Sequence, residues 1–167
     1  MIGMLLSIPF GSAESSRADG GGTAAVIRDY LLLLLHHGEA MAWQVYFAKA
    51  RNSLRTAQSA YQQGDFDSCA SRAYFAVFQA EIAALIKLTE LRPEEWRHEH
   101  VQAEFNRRLI QARKFFPASL RSIHDDLIGR RHTADYTDQH VSARLAEQCL
   151  RRAAEMLTAI EGILGEP

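Results

Sequence analysis

A polar cluster late in the chain carries the side chains best suited to chemistry: Arg130-Arg131-His132-Thr133-Ala134-Asp135-Tyr136. Arg131 and Asp135 are four residues apart, so they share a face if the helix continues through them. RNA cleavage without a metal needs a group that moves the 2′-hydroxyl proton and cations that stabilise charge on the phosphate. Arginine and tyrosine can bind phosphate, and histidine, or less readily aspartate, can move a proton. The cluster predicts a phosphate-directed site, unless Asp135 only caps the last helix or pairs with an arginine while Tyr136 packs in a dimer seam.

An aromatic stretch, Ser71 to Ala80, precedes this cluster on a predicted helix. Its aromatic side chains recur at helical spacing, which indicates core packing, and only the hydroxyl of Tyr74 could reach a polar site. Arg72 lies on the same mostly buried helix. It must either extend to the surface or pair with a carboxylate such as Asp135.

The segment from Arg107 to Arg131 is locally basic, with seven basic and two acidic residues, although the whole chain has a net charge of −1. Arg151 and Arg152 add to it later in the sequence. Such an asymmetry predicts a phosphate-binding face, because arginine offers a planar fork of donors. An ordinary solvated helix surface, or a surface for an acidic protein partner, would have the same composition.

Other kinds of site have little support. His98 and His100 are two apart, which places them on different faces of a helix and argues against zinc. His124, beside two aspartates, lacks a converging partner in the sequence. There is no glycine-rich phosphate loop, nucleophile elbow or pair of catalytic carboxylates. We therefore expect no metal and no cofactor.

The elements that must position these residues are helical. Of 167 residues, 47% are hydrophobic and only four are proline, a composition typical of one all-α domain. Apolar spacing predicts helices over about 43–63, 66–88, 99–115, 119–131 and 139–164, with the polar stretch 133–138 as an interruption. The expected fold is an up-and-down four-helix bundle with an additional short helix. Cys69 and Cys149 are expected to be buried thiols of a reducing cytoplasm.

The first 40 residues differ from the rest. Residues 1–40 are expected to be a poorly structured extension, or the product of a start assigned too early, with Met41 as the alternative start of a bundle over 41–167. The leucine run Leu31–Leu35 is too short to span a bilayer, which needs ~20 apolar residues. It could instead form an extra helix.

Over roughly Trp43 to Leu164, the order of these motifs resembles the HEPN family of small helical domains. The matching positions are an aromatic pair in the second helix, a histidine leading the third helix, and an arginine with Asp-Tyr before the last helix: Tyr74-Phe75, His100 and Arg131…Asp135-Tyr136. The resemblance is closest to small stand-alone HEPN proteins of prokaryotic toxin–antitoxin and nucleotidyltransferase-associated systems. It implies a dimeric bundle with an arginine–histidine motif at the shared face. In the nuclease branches that motif is arginine, four to six residues, then histidine; here four residues after Arg130 lead to Asp135.

The resemblance implies the RNA-directed component, ribonuclease-like or RNA- or nucleotide-binding, of a toxin–antitoxin or nucleotidyltransferase-linked module. Candidate catalytic residues are Arg131, Asp135 and Tyr136, and candidate phosphate-binding residues are Arg130, Arg131 and Arg72. Expected partners are RNA or nucleotide, a cognate nucleotidyltransferase antitoxin and a second copy of the chain, with no membrane, in the cytoplasm. The alternative is a non-catalytic helical bundle that binds a partner protein.

Overall fold

Five α-helices make up most of the chain in a computed structural model. The structure describes the backbone of residues 22–89 and 91–165, and the side chains of residues 42–89 and 91–165. The helices are α1 (Gly22–Gln62), α2 (Phe66–Leu88), α3 (His98–Glu104), α4 (Ile123–Tyr136) and α5 (Ala143–Leu164). A π-helical segment, Phe105–Ala112, continues α3, and a 3₁₀ turn, Ala118–Leu120, precedes α4. No strand occurs in the described ranges, so the predicted all-α class is confirmed.

Helix α2 is the centre of the bundle and packs mainly against α4 and α5. Asp65 caps its start by accepting a hydrogen bond from the N–H of Ser68 at 3.1 Å, and Gly64 supplies the positive φ that the preceding turn requires. Helix α2 is long and apolar enough to cross a membrane, but 83% of its most apolar window is buried inside the bundle. That burial is typical of the core helix of a helical bundle.

The predicted helix boundaries hold for α2 but not for its successors. The polar stretch 133–138 was predicted to interrupt the chain, and this is wrong for its first four residues, because α4 continues to Tyr136. Polar side chains are compatible with a helix that lies at the surface, and Arg131 and Asp135 pair across one turn. The last helix begins at Ala143 rather than Gln139, because Ser142 is its N-cap.

The N-terminal predictions concern residues 1–40, of which the structure describes the backbone of 22–40. This backbone belongs to α1, in agreement with the high helix propensity of leucine. Residues 1–21 lie outside the described residues, so the extension and the alternative start at Met41 stay predictions. The chain divides into two compact units after Leu35, and the second, His36–Pro167, contains α2 to α5.

The start of α2 is joined to the approach to α5. Asp67 accepts hydrogen bonds from the backbone N–H of Val141 and from Nδ1 of His140, each at 2.7 Å.

The two free cysteines are buried, as the sequence predicts: Cys69 lies in α2 and Cys149 in α5. Burial raises the pKa of Cys69 to about 12 and that of Cys149 to about 11. Both thiols therefore stay protonated at neutral pH.

Candidate functional site

A row of polar groups lies between α2 and α4. On α2, Tyr74 and Glu81 are seven residues apart and share a face; on α4, His124 and Arg131 have the same spacing. Packing these two faces together, with His98 at the start of α3, gives one connected set of polar side chains. We call Glu81, His124, Tyr74 and His98 the polar track.

The inner end of the polar track is a buried acid–histidine pair. Oε2 of Glu81 lies 2.6 Å from Nδ1 of His124, and each residue is only 1% exposed. Burial raises the pKa of the Glu81 carboxyl, the neighbouring Asp125 raises it further, and His124 acts in the opposite direction. A buried carboxyl with a raised pKa and one specific partner is typical of a functional site, although structural pairs share this property.

Tyr74 links this pair to the outside of the bundle. Its hydroxyl forms a hydrogen bond with Nδ1 of His98 and lies 3.5 Å from Nε2 of His124, the outer limit of a hydrogen bond. The pKa of Tyr74 is raised, first by burial and then by the charge of Glu81, while Arg131 lowers it. The phenol therefore keeps its proton at neutral pH and can donate one hydrogen bond while accepting another.

His98 is the outer end of the polar track. Its ring centroid lies 4.3 Å from that of Phe78, and the residue lines an open depression of about 420 Å³ beside Trp96 and Glu99. Burial lowers the pKa of His98, and the nearby Arg131 and His124 lower it further. At neutral pH the imidazole is therefore uncharged and can accept a proton.

Arg131 lies beside the polar track, in the last turns of α4. Its Nε donates to Asp135 at 3.1 Å, and its Nη2 donates to the hydroxyl of Tyr136 at 3.1 Å. The guanidinium carbon lies 5.5 Å from the ring centroid of Tyr74 and 5.0 Å from that of Phe75, within cation–π range. Two hydrogen bonds and two aromatic rings therefore fix the position of this cation.

Asp135 also reaches α2, where it accepts a hydrogen bond from the Ser71 hydroxyl at 3.1 Å. The predicted catalytic residues Arg131, Asp135 and Tyr136 are thus brought together, in contact with the aromatic stretch of α2. Their assignment to catalysis stays a prediction.

Two of the three predicted phosphate-binding arginines, Arg72 and Arg131, lie over the same Phe75 ring, and the third lies elsewhere. Arg130 lines a cleft between α4 and α5 with Arg151 and Arg152. Arg72 is exposed, with its guanidinium carbon 5.8 Å from the ring centroid of Phe75. Of its two predicted arrangements Arg72 adopts the exposed one, and Asp135 pairs with Arg131 instead.

The sequence does not predict three members of the polar track. It indicates no converging partner for His124, which is wrong because Glu81 of α2 supplies one. For His98 it suggests only a metal-ligand role, and for Glu81 it suggests no role. One signal was available: Glu81 is the only carboxylate in the apolar run from Ala73 to Ile86, and such a residue needs a partner when buried. His100, which the sequence analysis paired with His98, is exposed and lies outside the polar track.

Among the described residues, no group of three or more histidine, cysteine, aspartate or glutamate side chains could hold a metal ion. What the track and Arg131 can do together is bind an anion and exchange a proton.

The family model described as HEPN domain matches residues 43–163. A search of curated proteins found no match.

Proposed function

The chain belongs to the HEPN domain family, and on this premise we propose that it is directed at RNA, with Arg131 as the ligand of an RNA phosphate. The observation that carries the proposal is that Tyr74 links a cation to a base: the guanidinium of Arg131 lies over its ring, and its hydroxyl bonds the uncharged imidazole of His98. A cation for phosphate and a group for proton transfer are the two requirements of RNA cleavage without a metal.

Arg131 keeps donors for a ligand. A guanidinium has five N–H groups, and the contacts to Asp135 and Tyr136 use two of them. The remaining donors can form charge-assisted hydrogen bonds to phosphate oxygens, for which arginine is the preferred side chain. Because Asp135 and the aromatic rings already hold the side chain, little conformational entropy is lost on binding.

The surrounding charge supports an extended ligand rather than a single phosphate. Arg72 lies near Arg131 over the same Phe75 ring. Arg130 lies in the cleft between α4 and α5, with Arg151 and Arg152. A polyanion that passes over α4 would contact the arginines on both surfaces.

In this proposal the chain is the RNA-directed part of a toxin–antitoxin or nucleotidyltransferase-linked module, and it acts as a homodimer. Tyr136, 65% exposed, is available to a second copy.

The test is RNA binding and growth arrest by the full chain. Arg131→Ala should weaken binding of mixed transfer RNA and reduce the salt dependence of binding by about one counterion. It should also abolish growth arrest and RNA cleavage on induction. Arg55→Ala, which removes one exposed positive charge from α1, is the matched control and should leave these properties unchanged. Circular dichroism confirms folding, and Arg131→Lys tests charge without the planar fork.

Equal RNA binding, salt dependence and growth arrest by folded Arg131→Ala and the wild type would overturn the proposal. Co-purification of a stoichiometric partner protein, with no RNA binding by the wild type, would favour the protein-interaction alternative instead.

A further inference from the structure

We propose that the polar track is a proton relay, in which His98 accepts a proton at the surface and Glu81 stores it in the core. The substrate assigned to the relay, an RNA 2′-hydroxyl, rests on the proposed function above. In the nuclease pattern a histidine stands where this chain has Asp135, with four residues between it and Arg130. The relay would supply the proton acceptor that Asp135 does not.

When Glu81 is ionised, the donors and acceptors of its neighbours determine which atom of the track carries each proton. A carboxylate can only accept, so Nδ1 of His124 donates to it and Nε2 of that ring carries no proton. The Tyr74 hydroxyl then donates to Nε2 of His124. Its oxygen accepts from Nδ1 of His98, and Nε2 of His98 is left as an unprotonated base.

Uptake of one proton reverses every hydrogen bond of the track. A proton binds Nε2 of His98, and the Nδ1 proton of that ring passes to the oxygen of Tyr74. The phenol proton passes to Nε2 of His124, and the Nδ1 proton of His124 passes to Oε2 of Glu81. One proton has entered, each group between the ends has received one and given one, and Glu81 has become a neutral acid.

The relay avoids a buried imidazolium. Before uptake the track carries the single negative charge of Glu81, and after uptake it carries none. Removal of a buried charge is favourable, because desolvation penalises the ionised form. The net pKa directions agree. Burial and Asp125 raise the pKa of Glu81 against the opposing effect of His124, and burial, Arg131 and His124 lower the pKa of His98.

The chemical step conserves protons. His98 takes the proton of the 2′-hydroxyl as the 2′ oxygen forms a bond to phosphorus and the bond from phosphorus to the 5′ oxygen breaks. Reversal of the relay returns the proton to the leaving 5′ oxygen. The products are a 2′,3′-cyclic phosphate and a 5′-hydroxyl, with no net proton taken up or released.

A buried network with only a structural role would behave differently on titration. The relay requires both histidines to change tautomer together, from protonated Nδ1 to protonated Nε2, without becoming imidazolium. A static network predicts fixed tautomers, or independent protonation of His98.

The experiment is a pH titration of the full chain labelled with ¹⁵N-histidine, since nitrogen chemical shifts distinguish protonated from unprotonated ring nitrogens. We expect one midpoint shared by His98 and His124. Tyr74→Phe should separate the two rings, and Glu81→Gln should abolish the shared transition. Tyr61→Phe, which removes a hydroxyl outside the track, is the matched control and should behave as the wild type. Different midpoints for the two rings in the wild type, or formation of an imidazolium on either ring at the midpoint of the shared transition, would overturn the relay.

RNA assays separate this inference from the proposed function. Tyr74→Phe should keep the affinity for mixed transfer RNA and lose about 10²–10⁴-fold in cleavage rate. A shared tautomer transition in a protein that binds no RNA would retain the relay and overturn the proposed function. Arg131-dependent cleavage that Tyr74→Phe leaves unchanged would retain the function and overturn the relay.

Discussion

Arg130 and Arg131 are consecutive residues of α4 that lie against different helices. Arg131 contacts Tyr74 and Phe75 of α2, whereas Arg130 lines the cleft with Arg151 and Arg152 of α5. Successive residues of a helix point about 100° apart, so two neighbouring cations serve two separate surfaces. Hydrogen bonds to Asp135 and Tyr136 fix Arg131, whereas Arg130 is exposed.

This difference predicts unequal effects on stability. Arg131→Ala should lower the free energy of unfolding by about 1–3 kcal/mol, because it removes two hydrogen bonds and the cation–π contacts. Arg130→Ala, at an exposed position, should change it by less than about 0.5 kcal/mol. Urea unfolding at equal ionic strength measures both. A larger loss from Arg130→Ala than from Arg131→Ala would contradict the contacts described for Arg131.

The Glu81–His124 pair predicts strong coupling. Removal of one partner, as in His124→Leu or Glu81→Leu, leaves a buried polar group unpaired and should cost about 3–5 kcal/mol. Replacement of both by apolar residues, Glu81→Leu with His124→Leu, should recover much of this loss. A double-mutant cycle by chemical denaturation measures the coupling. Additive single and double effects would show that the two side chains do not depend on each other.

The free energy of unfolding should depend on pH through the titration of Glu81. Its pKa in the folded protein is raised above the ordinary value, mainly by burial and also by Asp125, against the opposing effect of His124. The folded state therefore holds the proton more tightly than the unfolded state. The stabilisation is complete below the unfolded pKa and is lost as the pH rises through the folded one.

Glu81→Gln cannot titrate, so the wild type should lose stability relative to this variant as the pH rises from acidic to neutral. Unfolding curves of the two proteins over that range provide the measurement. A wild type that gained stability relative to Glu81→Gln would show that the folded pKa is lowered instead.

The surface pair of His140 and Asp67 should act in a defined pH window. Its hydrogen bond with Asp67 raises the pKa of His140. Burial raises the pKa of Asp67, but the hydrogen bonds from His140 and the Val141 N–H outweigh it, and the net direction is down. The contribution of His140 is lost as the pH rises through its folded pKa, and that of Asp67 is lost as the pH falls through its own.

His140→Ala should therefore destabilise the protein most at mildly acidic pH, where both groups are charged, and least at alkaline pH. His100→Ala, at another exposed histidine, is the control. Denaturation at the two pH values tests the sign, and a larger effect at alkaline pH would contradict it.

Sequence analysis predicted the elements whose limits are local. Gly64 and Asp65 mark the start of α2 and its bounds agree with the prediction, because a left-handed turn and a cap leave signals in a few residues. The end of α4 was misjudged, because polar residues on a surface helix have the composition of a loop. The cluster of Arg131, Asp135 and Tyr136 was found because its spacing is contained within one helix.

The polar track could not be predicted in the same way. Glu81 and His124 are 43 positions apart, and only the packing of α2 on α4 brings them into contact. Periodicity shows that each helix has a buried face, but it does not show which residues of two such faces oppose each other. Glu81 in an apolar run indicates that a partner is needed, not which one.

The contacts of Asp67 and Ser71 have a further consequence for the connection between α4 and α5. These residues are one helical turn apart on α2, and they hold Asp135 on one side of the connection and Val141 on the other. Because the fold holds both ends of this loop, a longer loop changes only the entropy of loop closure. Each doubling of its length should add only about 0.6 kcal/mol. Residues 137–139 should therefore accept an inserted peptide or reporter without displacing Arg131 or the contact of His140 with Asp67.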